Sequence, residues 1–359
     1  MATMQDVARR AGVAVSTVSY AISGSRSISP ETVERVRTAM EELDYRPNAA
    51  ARSLASRRSR MLAMHLAAFD ATVGDTVFEI ARGARARAAD HGYHLTIWPL
   101  PDDQAPHELV SLVSQGHADG VLLLEVALED ARIDALQRAG IPTVAVGRPR
   151  QPDAVDHVDI DFAGTVDGAV ADLIAAGRRD LLLIGRSDAE HAAGYGPTIR
   201  TQRAFLEAVE RSGAIGRVLT CDASPQAGRQ LLRELIAESG TESRVPDGVV
   251  VMNDMAVLGL VDELHAQDLA VPGDVAVTTI VSSARTSTMT TPSLAGWSAP
   301  GEEMGALAVE TLLQRIESGT DAPIRHHLVS CSRIPGASIP SSVSHPASPT
   351  ARPAGTDTP

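Results

Sequence analysis

From Met61 onward the chain alternates short apolar runs with longer mixed segments. The runs are Met61 to Ala68, Leu95 to Leu100, Gly120 to Val126, Thr143 to Gly147, Leu181 to Gly185, Gly248 to Met252 and Val275 to Ile280. Their length and β-branched content predict strands, and the segments between them are long enough for helices. Strands so uniformly apolar have no wet face, which is the pattern of parallel sheets covered by helices on both sides. A stretch of about 275 residues is large for one such sheet. Two α/β subdomains with a cleft between them are therefore expected, with ligands beyond the carboxyl ends of the strands.

Residues 1–60 read differently. Thr3 is placed to cap a first helix, with Asp6 near the positive end of its dipole, Val7, Ala8 and Ala11 on its apolar side, and Gly12 ending it. A second helix is predicted from about Val15 to Ser23, with Val18 and Ile22 on one face and Ser16, Ser19 and Tyr20 available to the other. Two short helices across a glycine-containing turn make a helix-turn-helix pattern, whose second helix enters the major groove of DNA. A third helix starts at Ser29-Pro30-Glu31, with Val33, Val36, Met40 and Leu43 as its buried stripe. The alanine-rich stretch Asn48 to Ser56 then offers one large apolar side chain, Leu54. A helix that short is marginal alone, and DNA is the candidate that would order it.

Charge sharpens this division. The chain of 359 residues has a net charge of −13, yet residues 1–60 carry 10 arginines against 6 acids while the remainder carries 22 against 39. A basic head on an acidic body suits a polyanion-binding module attached to something that does not itself bind nucleic acid. All 32 basic residues are arginine. The absence of lysine excludes a Walker-type phosphate loop, a pyridoxal Schiff base and Schiff-base aldolase chemistry. No apolar run reaches the length of a membrane span and no signal peptide opens the chain, so a cytoplasmic location without a membrane partner is expected. Cys221 and Cys331 match no zinc spacing and no disulfide framework, and neither a metal nor a cofactor is expected.

The motifs Asp6-Val7-Ala8, Ala11-Gly12-Val13, Thr17-Val18-Ser19, Tyr45-Arg46-Pro47-Asn48 and Ala51-Arg52-Ser53-Leu54, in this order and spacing, resemble the LacI/GalR transcriptional repressors. The likeness runs from residue 3 to about 335. It continues through Phe78, Gly140-Ile141-Pro142, Gly147-Arg148, Asp161, Asn253-Asp254 and Val271-Pro272-Gly273-Asp274-Val275. The resemblance implies a helix-turn-helix head at 1–46 and a hinge helix with linker at 47–60. It implies a two-lobed, periplasmic-binding-protein-like core at 61–335, lobe 1 being about 61–160 and 293–320 and lobe 2 about 161–292 and 321–335. Chain crossings are expected near Asp161, Thr291 and Asp321.

By position, Val15, Ser16 and Tyr20 sit where the family reads bases, and Thr17 and Ser19 where it touches phosphates or packs the helix. Asn48, Arg52, Ser53 and Leu54 lie in the hinge, Leu54 matching the leucine that wedges into the minor groove; packing onto the next domain is the alternative for Leu54, and packing between helices for Tyr20. The implied partners are a near-palindromic double-stranded DNA operator, a second copy of the chain and a small-molecule effector such as a sugar. Effector candidates are Phe69, Asp70, Phe78, Arg148, Arg200, Asn253, Asp254 and Trp297, a mix of carboxylate, amide and aromatic groups suited to a polyol. Bland alternatives are helix capping at Asn253-Asp254 and a carboxylate partner for Arg148.

The chain departs from the family at several of these positions. Tyr20 stands where an arginine is often found, and Ala14 replaces the serine that usually opens the recognition helix. Thr201, four before Phe205, stands where sugar-responsive members carry arginine, with Arg200 one place early. Val281-Ser282-Ser283 replaces the usual aspartate pair. These changes leave a nucleoside, a less hydroxylated metabolite or no small ligand at all open.

Asp153, Asp156, His157, Asp159 and Asp161 are expected to point to solvent as they enter a short strand, rather than to form a metal or glycosidase site. Neither a Gly-x-Ser-x-Gly elbow nor a Gly-x-Gly-x-x-Gly fingerprint is present. Residues 336–359 read as a disordered tail. The most direct reading is an effector-controlled DNA-binding repressor, not an enzyme. A DNA-binding activator or co-regulator-dependent repressor, and an enzyme acting on a sugar or nucleoside, are the alternatives.

Overall fold

The computed structural model describes residues 2–23, 26–45, 58–66, 74–101, 103–238, 245–319 and 322–340. Three helices open the chain: α1 (Met4–Ala11), α2 (Val15–Ser23) and α3 (Pro30–Glu42). Three of their ends have a local cause. Thr3 and Asp6 form a reciprocal capping box, Gly12 closes α1 at φ 65°, and Ser29 caps α3 ahead of Pro30. The core between them is Val7, Ala8, Ala11, Val18, Val36 and Ala39. Val33 is largely exposed and Ala39 takes its place in the buried stripe. With so few and such small buried side chains, caps worth about 1 kcal/mol each are a substantial part of what holds this head together.

The chain divides into two compact units. Unit 1 takes in the chain up to Ile160, Gly194–Gly196 and Pro300–Val329; unit 2 takes in Asp161–Ala193, Pro197–Ala299 and the chain from Ser330 on. In unit 1 the elements are β1 (Met61–Leu66), α4 (Asp75–Asp90), β2 (His94–Pro99), α5 (Ala105–Ser114), β3 (Gly120–Leu123), α6 (Ala131–Arg138), β4 (Thr143–Val146) and β5 (Asp156–Ile160). In unit 2 they are α7 (Phe162–Ala175), β6 (Asp180–Gly185), α8 (Asp188–Ala192), α9 (Gly196–Ser212), β7 (Ile215–Thr220), α10 (Pro225–Glu238), β8 (Gly248–Val251), α11 (Asp254–Ala266), β9 (Ala276–Ser282), α12 (Ala284–Ser287) and β10 (Ala295–Ser298). The chain then supplies α13 (Gly301–Ser318) and β11 (His326–Val329) to unit 1, and β12 (Ser332–Ile334) to unit 2.

Unit 1 contains a six-stranded, wholly parallel sheet in the order β11-β5-β4-β3-β1-β2. Unit 2 contains a six-stranded sheet in the order β12-β10-β9-β8-β6-β7, parallel except for the antiparallel edge pair β10/β12. In unit 1, α4 and α13 cross where a Cβ on Gly83 or Gly305 would strike the facing backbone. Glycine is required there because the two backbones touch.

Five sequence expectations are corrected. The crossing expected near Thr291 comes at Pro300, because β10 pairs with β9 and stays in unit 2; the one expected near Asp321 comes at Ser330, because β11 pairs with β5. The linker assigned to 47–60 ends early: Ser59 donates from its backbone and hydroxyl to Asp119 Oδ1 at 2.7 and 2.8 Å, which ties it to unit 1. The acids on β5 do not face water. All five residues of that strand are buried, since it lies between β4 and β11. The tail assigned from 336 begins as packed chain, Ser338 being fully buried with its hydroxyl donating to the Val277 carbonyl; residues 341–359 lie outside the described ones.

Candidate DNA interface and effector site

In the head, α2 is the exposed element. At about 100° per residue, Ser16 and Tyr20 fall about 160° and 200° round the helix from Val18. Val18 is fully buried, so Ser16 and Tyr20 stand at the middle of the outward face. Val15 and Ser16 are exposed, while Thr17, Ser19 and Tyr20 are half-buried. The amides of Thr17 and Val18 donate to the Ala14 carbonyl, which puts Ala14 at the start of the helix without a side-chain oxygen to help. The helix carries no charged residue. Asn48, Arg52, Ser53 and Leu54 lie outside the described residues.

At the carboxyl edge of the unit 1 sheet, Phe69 and Asp70 also lie outside the described residues. Phe78 is 55% exposed on α4. Arg148 follows β4 and is half-buried, its Nε 3.7 Å from Asp159 Oδ2, which is the carboxylate partner its bland reading required. Sequence reasoning missed a buried cluster at this edge. His65, wholly buried at the end of β1, has Nδ1 2.9 Å from Arg132 Nη1, and Arg132 grips Asp130 through Nε at 2.9 Å and Nη2 at 2.6 Å. A guanidinium only donates, so His65 Nδ1 accepts, and Nε2–H faces the Leu100 carbonyl at 3.3 Å. Burial would raise the Asp130 carboxyl, but the hydrogen bonds and charge of Arg132 outweigh it and hold Asp130 below its ordinary value. The one sequence signal was a histidine inside an otherwise apolar strand.

The opposite, amino end of this sheet has a cavity of about 190 Å³ bordered by Asp156 and Arg315. Arg315 clasps Asp156 at 2.6 and 2.8 Å and donates to the carbonyls of Ala322 and Pro323, while Asp156 also accepts from the Arg325 amide. Both charges are saturated, so this end is structural.

At the carboxyl edge of the unit 2 sheet, Arg200 lies 5.6 Å from the ring centroid of Phe162, the first residue of α7. Asn253 caps α11: its Oδ1 accepts from Met255 and Ala256, and its Nδ2 donates to the Cys221 carbonyl. That amide, singled out for the effector, is committed to the fold, while Asp254 stands half-exposed on the first turn. Trp297 is packed against Gly168 of α7 and beneath Arg333, which removes it as an open stacking surface. At the departing positions Thr201 and Ser282, and at Thr198 nearby, the hydroxyls are buried with no hydrogen-bond partner among the described residues. Val281 is the extra residue of a bulge against β10 and adopts φ 54°, a conformation that strains a β-branched side chain. Burial pushes the thiols of Cys221 and Cys331 up to about 11, with Asp222 and Asp161 adding to the effect, so neither is a nucleophile near neutral pH. Among the described residues no group of three or more His, Cys, Asp or Glu side chains is placed to hold a metal, and no helix is long and apolar enough to cross a membrane.

Comparison with known proteins agrees with this division into parts. Residues 3–48 match the model for bacterial regulatory proteins of the lacI family, and residues 170–339 match that for a periplasmic binding protein-like domain. The HTH-type transcriptional regulator CelR of Thermobifida fusca is 31% identical over 339 residues, which is 90% of this chain and 94% of the relative. The ribose operon repressor of Escherichia coli K12 is 30% identical over 331 residues, 89% and 94% of the two chains. Among solved structures, the CelR–cellobiose complex superposes with a TM-score of 0.69 at 26% identity, covering 94% of this chain and 100% of that one. The Lac repressor dimer bound to operator and the anti-inducer ONPF reaches a TM-score of 0.78 at 20% identity, covering 96% and 99%, which is a likeness of fold. A capped three-helix head with an outward-facing second helix, followed by two parallel-sheet units and matched over nine-tenths of its length, places this chain in the LacI family of DNA-binding transcriptional regulators.

Proposed function

We propose that this protein is a homodimeric transcriptional repressor working in the cytoplasm, and not an enzyme. Two heads read the halves of a near-palindromic operator, and a small effector held at the carboxyl edges of the sheets sets the affinity. The observation that carries this reading is the outward face of α2, with Ser16 and Tyr20 opposite the buried Val18. In this reading Val15, Ser16, Thr17, Ser19 and Tyr20 meet the major groove, while Asn48, Arg52 and Ser53 order on DNA and Leu54 wedges into the minor groove.

Phe69, Asp70, Phe78, Arg148, Arg200 and Asp254 remain the effector candidates, joined by the buried hydroxyls of Thr198, Thr201 and Ser282. A sugar or related metabolite is favoured, because relatives include a regulator solved with cellobiose and a ribose operon repressor. Coupling between effector and operator of about 1 to 3 kcal/mol is enough for regulation. The test is a footprint of the full-length protein on the DNA flanking its own gene, repeated with a panel of sugars and nucleosides. A near-palindromic protected site, relieved by one compound of the panel, supports the reading. Binding that ignores sequence would sink it.

A further inference from the structure

We propose that Asp119 is a positioning residue for operator reading: its carboxylate pins the chain where it enters unit 1 and so sets the half-site spacing that two heads can bind. The proposal rests on the dimeric reading of a two-part operator. Asp119 Oδ1 accepts from the amide and hydroxyl of Ser59 at 2.7 and 2.8 Å, and Oδ2 accepts from the Arg60 amide at 3.0 Å. Arg60 stands at φ 58°, a conformation that disfavours a residue with a Cβ, so the bend at this point needs support from outside. Three hydrogen bonds to one carboxylate supply it.

Unit 2 holds a counterpart of this clamp. The pairing of β1 with β3 sets Leu62 beside Gly120, and that of β6 with β8 sets Leu181 beside Gly248, which makes Arg60 equivalent to Arg179 and Asp119 to Asp247. The backbones agree: the amides of His94 and Ile215 donate to the carbonyls of Arg60 and Arg179, and those of Asp119 and Asp247 to the carbonyls of Met61 and Asp180. Asp247 likewise accepts from the Arg179 amide, but its second backbone donor is Asp180, further along the strand, and neither residue has a positive φ. There the clamp closes the turn between α7 and β6. In unit 1 it reaches one residue the other way, to Ser59, gains that residue's hydroxyl, and takes hold of chain arriving from the head. Without Asp119 the Arg60 carbonyl is still held by the His94 amide at 2.9 Å. Losing the clamp therefore frees about one residue, or about 3.5 Å of reach, in each protomer. Two protomers together gain about 7 Å, which is two base pairs at about 3.4 Å each. A pinned entry point restricts the spacings that both heads reach at once.

The experiment selects an operator for the full-length protein from randomised duplexes, then measures affinity on versions whose half-sites lie one or two base pairs closer together or further apart. D119A, D119N, S59A and D247A are compared with wild type, and the melting temperature of each is recorded. Wild type should lose about tenfold or more per base pair, since each also turns one half-site by about 35° relative to the other. D119A should bind the best spacing about three- to tenfold more weakly and lose less than about threefold per base pair. D119N keeps an acceptor for Ser59 but turns an amide NH₂ toward the Arg60 amide, and should fall between the two. D247A breaks the equivalent clamp in unit 2 and should keep the wild-type spacing profile whatever it costs in melting temperature. A D119A profile as steep as wild type overturns the proposal and leaves the dimeric reading intact. Equal losses in D119A and D247A at every spacing overturn it in favour of fold stability alone. If D119A does not fold, S59A decides, since it removes only the hydroxyl bond: a flattened profile supports the proposal and an unchanged one overturns it. A wild-type protein indifferent to spacing overturns the dimeric reading as well.

Discussion

The amino end of the unit 1 sheet and the carboxyl edge of the unit 2 sheet bury polar side chains in different ways. At the amino end of the unit 1 sheet, Asp156 and Arg315 are almost fully buried and every charged edge has a partner. At the carboxyl edge of the unit 2 sheet, the hydroxyls of Thr198, Thr201 and Ser282 are buried with none among the described residues. A saturated network leaves nothing for a ligand to satisfy, so the first region is a clasp between β5 and the end of α13. Buried hydroxyls without partners are costly to the fold alone and become useful when a ligand or water supplies the missing bond. The difference separates polar burial that serves structure from polar burial that serves recognition.

Breaking the clasp should give the largest effect. Arg315→Met leaves Asp156 charged, buried and held by the Arg325 amide, and should lower the unfolding free energy by about 3 to 5 kcal/mol in urea titration. The double variant Asp156→Leu with Arg315→Met should recover most of that loss, because the penalty lies in the orphaned charge. A single variant that loses under about 1 kcal/mol would contradict the structural role of the pair.

Asn253 sharpens the comparison from the unit 2 side, since it sits at the recognition edge but is saturated. Asn253→Ala should cost about 1 to 2 kcal/mol through loss of the α11 cap, and Asn253→Asp, which keeps the acceptor, should restore part of it. If Asn253→Ala changed effector response without changing the denaturation midpoint, its amide would belong with the ligand instead. Val281 tests whether strain accompanies this edge. Val281→Asn, which tolerates positive φ, should raise stability by about 1 kcal/mol; a fall would show that the valine's packing outweighs its backbone strain.

The smallest effect on stability is expected at the hydroxyls themselves. Thr201→Val removes a buried, partnerless oxygen at nearly constant shape and should leave stability within about 0.5 kcal/mol or raise it slightly. The same variant should alter the effector response seen in the footprint. A destabilisation of several kcal/mol would mean that the hydroxyl has a protein partner, and the contrast between the two sheets would fall.

Legibility in the sequence followed the range of the forces involved. Thr3 with Asp6, Gly12, and Ser29 with Pro30 gave the head's helix ends, because a cap is made by residues within four positions of one another. The apolar runs gave seven strands and the acidic stretch a short eighth, β5, yet β7, β10, β11 and β12 were not marked as strands. The β5 residues Asp156, His157 and Asp159 imitate a wet strand in the sequence, and their partners come from elsewhere: Arg315, more than a hundred residues away, for Asp156, the His326 ring for His157 and Arg148 for Asp159. The crossings at Pro300 and Ser330 were misplaced because strand pairing with β9 and β5 decides them, not the turn signals nearby. At the site, His65 gave no sign of Arg132 and Asp130, since a buried histidine's partners come from other elements.

The sequence by itself determined the head, the α/β class of the body and, through motif order and spacing, the family. Periodicity, caps and charge distribution are local properties, and they survive reading in one dimension. Tertiary structure alone decided which polar groups are satisfied. It made Asp156 a clasp, Asn253 a cap and Trp297 a packing surface, and it left Thr201 and Ser282 without partners among the described residues. The physical reason is that burial and hydrogen-bond satisfaction belong to pairs of groups brought together by the fold, so no residue type carries them on its own.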